Sequence, residues 1–304
     1  MRTSLACLTL LLAGCAPNRP LDRPIAALRS LEPVVGVLVM AHGGDQEWNS
    51  HVAAAVAPLT ADFPTSLAYG MADPSTLAAA LDSLSDRGVQ RVAVVRMFLS
   101  GESFADQTKF YLGLSEAPPE SFVLMGPLAT DPKARLPINH GMSVATHPEG
   151  LLDSAEAREI TAERALALSS QPSQESVVLI AHGMGAEGEN DRVLDAMRSA
   201  AELIRAHGFA EVEVATLRED WRDQRVIAET QIRDFVAKQA ASDRTVIAVP
   251  MRLSGFGPYA EVLAGLPFLE GKSLLPHAAI ATWVQHTASR VACSAGWGPA
   301  LGPC

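Results

Sequence analysis

The sequence is short of positive charge. Lys and Arg number 24 against 34 Asp and Glu, giving a formal net charge of −10. No basic block or stripe occurs, so the electrostatic footprint of a nucleic-acid-binding protein is missing. Long apolar runs are absent too. No stretch reaches the roughly eighteen residues of a membrane span, which excludes a multi-span membrane protein. Cysteine is scarce, at 4 residues in 304, so the chain is not a disulfide scaffold. Its length supplies a core without staples and allows one large domain or two of average size. Hydrophobic residues make up 48% and charged residues 19%, which excludes disorder over most of the chain.

The beginning of the chain reads as a targeting segment. Met1-Arg2 precedes an apolar run from Leu5 to Leu12, which ends in Leu12-Ala13-Gly14-Cys15. A short positive start, a short apolar stretch and small residues mark a secretory signal. The Leu-Ala-Gly-Cys ending resembles the lipobox of bacterial lipoproteins. That resemblance implies a signal over residues 1–14, a lipidated Cys15 and a tether over 15–33, holding the protein to a bacterial membrane on its periplasmic side. An ordinary signal peptide with a chance cysteine is the alternative. Export would place Cys293 and Cys304 in an oxidising compartment, where they can pair or stay free.

A repeat follows. Val37-Leu38-Val39-Met40-Ala41-His42-Gly43-Gly44 matches Val177-Val178-Leu179-Ile180-Ala181-His182-Gly183-Met184, and Arg96-Met97-Phe98-Leu99-Ser100-Gly101 matches Pro250-Met251-Arg252-Leu253-Ser254-Gly255 in the same order. Each copy alternates strands with helices. Val34–Met40 is a continuous apolar run, as in a strand buried on both faces. Asp45 and Asp73 are helix caps, and strands are expected near 65–71, 89–99 and 122–125. The second copy repeats the pattern with strands near 176–181, 212–217 and 245–253. Alternation of this kind predicts an α/β fold: two parallel sheets, each with helices on both faces. The expected domains are 34–128 and 152–304, joined by a linker over 129–151 that carries Pro132, Pro137 and Pro148.

His42 and His182 directly follow the first strand of each copy, where parallel sheets bind ligands. A glycine after each allows a sharp turn and close approach. Neutral imidazole is a metal ligand and a proton acceptor. A turn histidine bonded to backbone is the simpler reading of either one alone. His51, His140 and His147 read most simply as surface or solvated loop histidines, and Trp221 and Trp283 as core residues.

Met40-Ala41-His42-Gly43 through Asn49, Val94–Gly101 with Asp106, and the matching segments of the second copy resemble the sirohydrochlorin chelatases of the CbiX/SirB type. The resemblance covers roughly residues 34–290 as two chelatase-like, flavodoxin-like halves. It implies a class II chelatase, a lyase that inserts cobalt or ferrous iron into a tetrapyrrole without nucleotide. His42 and His182 would then be catalytic and bind the metal. Glu102 is a further metal ligand candidate, and Arg96 and Arg252 would pair with tetrapyrrole carboxylates, with structural ion pairs as the alternative. The chain departs from the family where its second histidine falls on Ser103 in one copy and Gly257 in the other. Ser-Arg after the first His-Gly is Gly44-Asp45 here. Binding of a divalent metal or metallo-tetrapyrrole is therefore the leading expectation. A non-catalytic, lipid-anchored scaffold that retains the fold is the alternative. A hydrolase using Ser100 or Ser254 lacks the Gly-x-Ser-x-Gly elbow.

Overall fold

The computed structural model describes residues 33–304; the expected signal at 1–14, the lipidated Cys15 and nearly all of the tether lie outside the described residues. Strands β1 (Val35–Ala41), β2 (Thr65–Tyr69), β3 (Arg91–Met97) and β4 (Ser143–Thr146) form one parallel sheet in the order β2-β1-β3-β4. Strands β5 (Glu175–Ala181), β6 (Glu211–Thr216), β7 (Thr245–Met251) and β8 (Leu269–Glu270) form a second in the same order, β6-β5-β7-β8. Every residue of β1 and β5 is buried, which explains their unbroken apolar runs. The registers match as well: Ala41 pairs with Met97 and Ala181 with Met251. His42 and His182 thus leave their sheets at the same level.

Helices α1 (Gln46–Asp62), α2 (Pro74–Ser85), α3 (Ala105–Tyr111), α4 (Ala155–Leu166), α5 (Glu187–Ala206), α6 (Arg222–Ala241), α7 (Tyr259–Val262) and α8 (Ala278–Ser294) cover the sheets. Asp45 caps α1 by accepting from Trp48 N, and Asp73 caps α2 by accepting from Ser75 N and Thr76 N. Strand alternation divides the first core cleanly. Val37, Val39, Ala93 and Val95 face α1, whereas Leu38, Met40, Val92 and Val94 face α2 and α3. The second sheet divides likewise between α4 with α5 and α6 with α7.

Two elements lie elsewhere than the local pattern suggests. First, α8 does not stay with the second sheet. Its Ile280, Trp283, Val284 and Ala288 join the cluster of β1, β3 and α1. The first sheet has α1 alone on that face from its own segment, and one helix cannot cover the strands. Each large apolar side chain so buried contributes roughly 1.5–3 kcal/mol, which holds the chain's end across the molecule. Helix α4, for which no element was expected, takes the corresponding place beside α5. Second, the fourth strand is not 122–125 but β4, inside the expected linker. Residues 122–125 are held instead by a side chain: Val123 N donates to Gln107 Oε1 at 2.7 Å, and Gln107 Nε2 donates to Val123 O at 3.2 Å. Gln107 thereby supplies what a strand partner would. The end of the expected linker runs along the site loop, with Leu151 N donating to Phe98 O and Leu152 N to Leu99 O.

Cys293 and Cys304 are joined by a disulfide, with Cα atoms 5.7 Å apart, at the end of α8. Among the described residues, no helix is long and apolar enough to cross a membrane.

Candidate functional site

A cleft of about 580 Å³ lies beyond the carboxyl ends of both sheets. His42, His182, Glu102 and Arg252 all line it. The fold therefore brings the two His-Gly loops, 140 positions apart, to one space.

The loops are built alike. Gly43 and Gly183 have φ of +76° and +85°, a region that a side chain makes costly. Each histidine Nδ1 lies against the carbonyl of the next glycine, at 2.8 Å for His42 and 2.9 Å for His182. An asparagine from the following helix clamps each turn. Asn49 Oδ1 accepts from Gly44 N at 3.0 Å, and Asn190 Oδ1 accepts from Met184 N at 3.1 Å. An indole flanks each imidazole: Trp48 at 6.3 Å from His42 and Trp221 at 5.9 Å from His182, between ring centroids. Trp221, expected in the core, lines the cleft instead, packed over Gly185, where a Cβ would collide with its ring. Trp283 is in the core as expected.

The two histidines differ at the other nitrogen. His182 Nε2 faces Asp220 Oδ2 at 3.2 Å. His42 is exposed and its Nε2 has no protein partner among the described residues. With Nδ1–H donated to Gly43 O, Nε2 of His42 keeps its lone pair directed away from its own backbone.

Glu102 pairs with Arg192 on α5. Among the described residues, no three His, Cys, Asp or Glu side chains come together as a group able to hold a metal ion. His42, His182 and Glu102 thus share the cleft without forming a closed ligand set.

Arg96 departs from expectation. It is 3% exposed and does not line the cleft. Its Nη1 donates to Gly101 O at 2.8 Å and its Nη2 to Ser103 O at 2.5 Å. It therefore braces the loop between β3 and α3 from behind rather than meeting a ligand carboxylate. Burial pushes its pKa down to about 10, with the charge of Asp106 opposing. Arg252 does reach the cleft, but its Nη1 is engaged by Glu219 Oε1 at 2.6 Å, and Tyr259 Oη donates to the same oxygen at 3.1 Å. Gly257 has φ of +68° and its Cβ position is filled by the Arg252 guanidinium. A histidine there would displace that ion pair. Ser103 lines the cleft.

His147 is neither solvated nor part of a free linker. It is 6% exposed, and its Nε2 accepts from Arg96 N at 3.0 Å. Strand β4 ends at Thr146, opposite Val94, and leaves the Arg96 amide without a strand partner. At the corresponding place in the second sheet the chain has Pro250, which has no amide hydrogen to satisfy. His51, expected at the surface, is half-buried with Nδ1 3.1 Å from Ser254 Oγ, tying α1 to the loop after β7.

The tryptophans, Asp220 and the Glu219–Arg252 pair were not legible as site features, because nothing in their local pattern separates a cleft-facing position from a core one. No family model and no curated protein matches the chain in sequence. Solved structures do match in fold. SirB from Bacillus subtilis with Fe3+ superimposes with a TM-score of 0.62 at 13% identity, covering 86% of this chain and 98% of that one. The sirohydrochlorin chelatase SirB from Bacillus subtilis subspecies spizizenii, in complex with cobalt, gives 0.58 at 12% identity over 87% and 97%. DR2241 from Deinococcus radiodurans, a multi-domain protein with structural similarity to chelatases, gives 0.53 at 19% identity over 84% of this chain and 54% of that one. The chain therefore has the α/β fold of the chelatases, with two parallel four-stranded sheets.

Proposed function

We propose that the protein binds a divalent metal ion or a metallo-tetrapyrrole in the cleft between its two sheets. The observation that carries this reading is the meeting of two similarly built His-Gly loops in one space of ligand size. Cobalt and iron, present in the SirB structures, are the ions to try first. As a chelatase, the protein would take the metal as a substrate and exchange it for two pyrrole protons, without nucleotide. His42 Nε2 is the group suited to accept such a proton or to ligate the incoming ion. His182, engaged by Asp220, would hold its imidazole in place on the opposite side. The incomplete ligand set fits an ion that must leave again. Lipidation at Cys15 would put this activity on the periplasmic side of a membrane.

Calorimetric titration of the purified protein with cobalt and zinc, beside His42→Ala, tests the reading. Saturable binding should weaken in the variant by more than the roughly 10–100-fold that loss of an outer partner costs a metal site. Unchanged affinity for metal and porphyrin, in a variant of unaltered circular dichroism, overturns it. A non-catalytic, partner-binding lipoprotein is the second reading. The serine and glycine at positions 103 and 257 and the lack of a three-donor group favour it.

A further inference from the structure

We propose that His182 Nε2 and Asp220 Oδ2 form a two-donor site for a divalent first-row metal ion in the cleft. This rests on the proposed function and names donor atoms for the ion. A neutral imidazole carries one hydrogen. His182 Nδ1 lies 2.9 Å from Gly183 O, and its Nε2 lies 3.2 Å from Asp220 Oδ2. Both oxygens are acceptors, so whichever nitrogen holds the hydrogen, the other faces a lone pair. His277 and His147, which also lie beside acids, differ. His277 Nδ1 accepts from Ala279 N, and His147 Nε2 accepts from Arg96 N. Each keeps its other nitrogen as a donor towards Glu163 or Glu149. At His182 the count closes only with a further cation, a proton or a metal ion, between ring and carboxylate.

The spacing fits a metal ion. Bonds of about 2.1 Å at an angle of about 90–110° hold nitrogen and oxygen donors roughly 3.0–3.4 Å apart. A metal-bound histidine also donates its other N–H to a carbonyl or carboxylate, the place Gly183 O takes here. Both donors are held in position. Trp221 packs against the imidazole, with ring centroids 5.9 Å apart. Trp221 N donates to Arg218 O at 3.0 Å, closing the turn that carries Asp220, and Arg218 N donates to His182 O at 2.7 Å. Arg218 takes φ of +56° to make this turn, a region that favours glycine. Its guanidinium donates to Gly185 O and Glu187, tying the turn to the His182 loop and to α5.

The first copy shows the same acid put to another use. Tyr69 pairs with Ala41 and Thr216 with Ala181, so Asp73 and Asp220 stand equally far past matching strand positions. Asp73 caps α2, accepting from Ser75 N and Thr76 N. Helix α6 has no side-chain cap, and Asp220 turns to His182 instead. Its side chain is 75% exposed, which leaves the outer coordination positions open to water or an incoming ligand.

Cobalt titration of the whole protein by calorimetry, for wild type, Asp220→Asn and His42→Ala, tests the pair. Asparagine keeps the size of the side chain without its charge, and circular dichroism checks the fold. Asp220→Asn should weaken cobalt binding about tenfold or more. Proton NMR of the cobalt-loaded protein supplies a signature. His182 Nδ1–H, held by Gly183 O, should give a strongly shifted exchangeable resonance, because its ring is bound to a paramagnetic ion. That resonance should persist in His42→Ala at saturating cobalt and vanish in His182→Gln. Unchanged affinity in Asp220→Asn overturns the metal site and leaves an ion pair only; weakening in His42→Ala would then still uphold the proposed function. A shifted resonance that survives His182→Gln and vanishes in His42→Ala also overturns the inference and upholds that function. If the wild type binds no cobalt, both fall.

Discussion

Acid should destabilise this protein through His147. The buried imidazole accepts a hydrogen bond from Arg96 N through Nε2, so the neutral ring carries its hydrogen on Nδ1. Nδ1 lies 3.6 Å from Glu149 Oε2 and has no hydrogen-bond partner. Protonation would put a second hydrogen on Nε2, facing the amide hydrogen of Arg96. Burial, together with the positive charges of Arg96 and Arg290, pushes the His147 pKa from 6.5 down to about 4, against the weaker pull of Glu149. Unfolded His147 therefore takes up a proton as pH falls through about 6.5, while folded His147 does not until about 4. The folded state is favoured fully above pH 6.5, and the advantage is lost between those values. One pKa unit corresponds to about 1.4 kcal/mol, so the whole loss is about 3 kcal/mol. Urea unfolding at steps from pH 7.5 to 4.5, for wild type and His147→Gln, isolates this group from the many carboxylates. The amide oxygen of glutamine can still accept from Arg96 N but does not titrate. The wild-type curve should fall more steeply than the variant's, by up to about 1.4 kcal/mol per pH unit near pH 5. Parallel curves would refute the reasoning.

Two further expectations follow from the site and the end of the chain. Gly183→Ala should destabilise by about 2 kcal/mol or more and disturb the His182 loop. Its φ is +85°, and a Cβ would stand 2.7 Å from Thr216 Cβ and 2.9 Å from Asn190 Oδ1. An unchanged melting temperature would show that the turn relaxes freely. Cys304→Ser should cost about 2–3 kcal/mol, because the bond closes a loop of sequence separation 11 at the end of α8. Thermal melts under oxidising and reducing conditions check it; reduction should lower the wild type to the variant's midpoint and leave the variant alone.

Much of the architecture follows from local pattern. The apolar runs at 34–40 and 176–181 are buried strands because parallel strands covered on both faces have no polar side to show. Asp45 and Asp73 cap helices because a carboxylate at that point meets the first free amides. His42 and His182 leave matching sheets at the same level because each follows the first strand of its copy in equal register. None of this needs a distant partner. What the sequence could not specify is which groups meet across the chain. Trp221 and Trp283 carry the same apolar character, yet one lines the cleft and the other fills the core. Arg96 and Arg252 sit at similar strand ends, yet one turns behind its loop to two carbonyls and the other pairs with Glu219. The stretch expected to be a linker becomes β4 because the edge of the first sheet takes up its backbone hydrogen bonds. Helix α8 is amphipathic wherever it lies; only the uncovered face of β1 and β3, more than 180 positions earlier in the chain, decides that it crosses back. Periodicity and capping act within a few residues and are written in the sequence. Pairing between distant groups is settled by what burial leaves unsatisfied, and only the folded chain decides that.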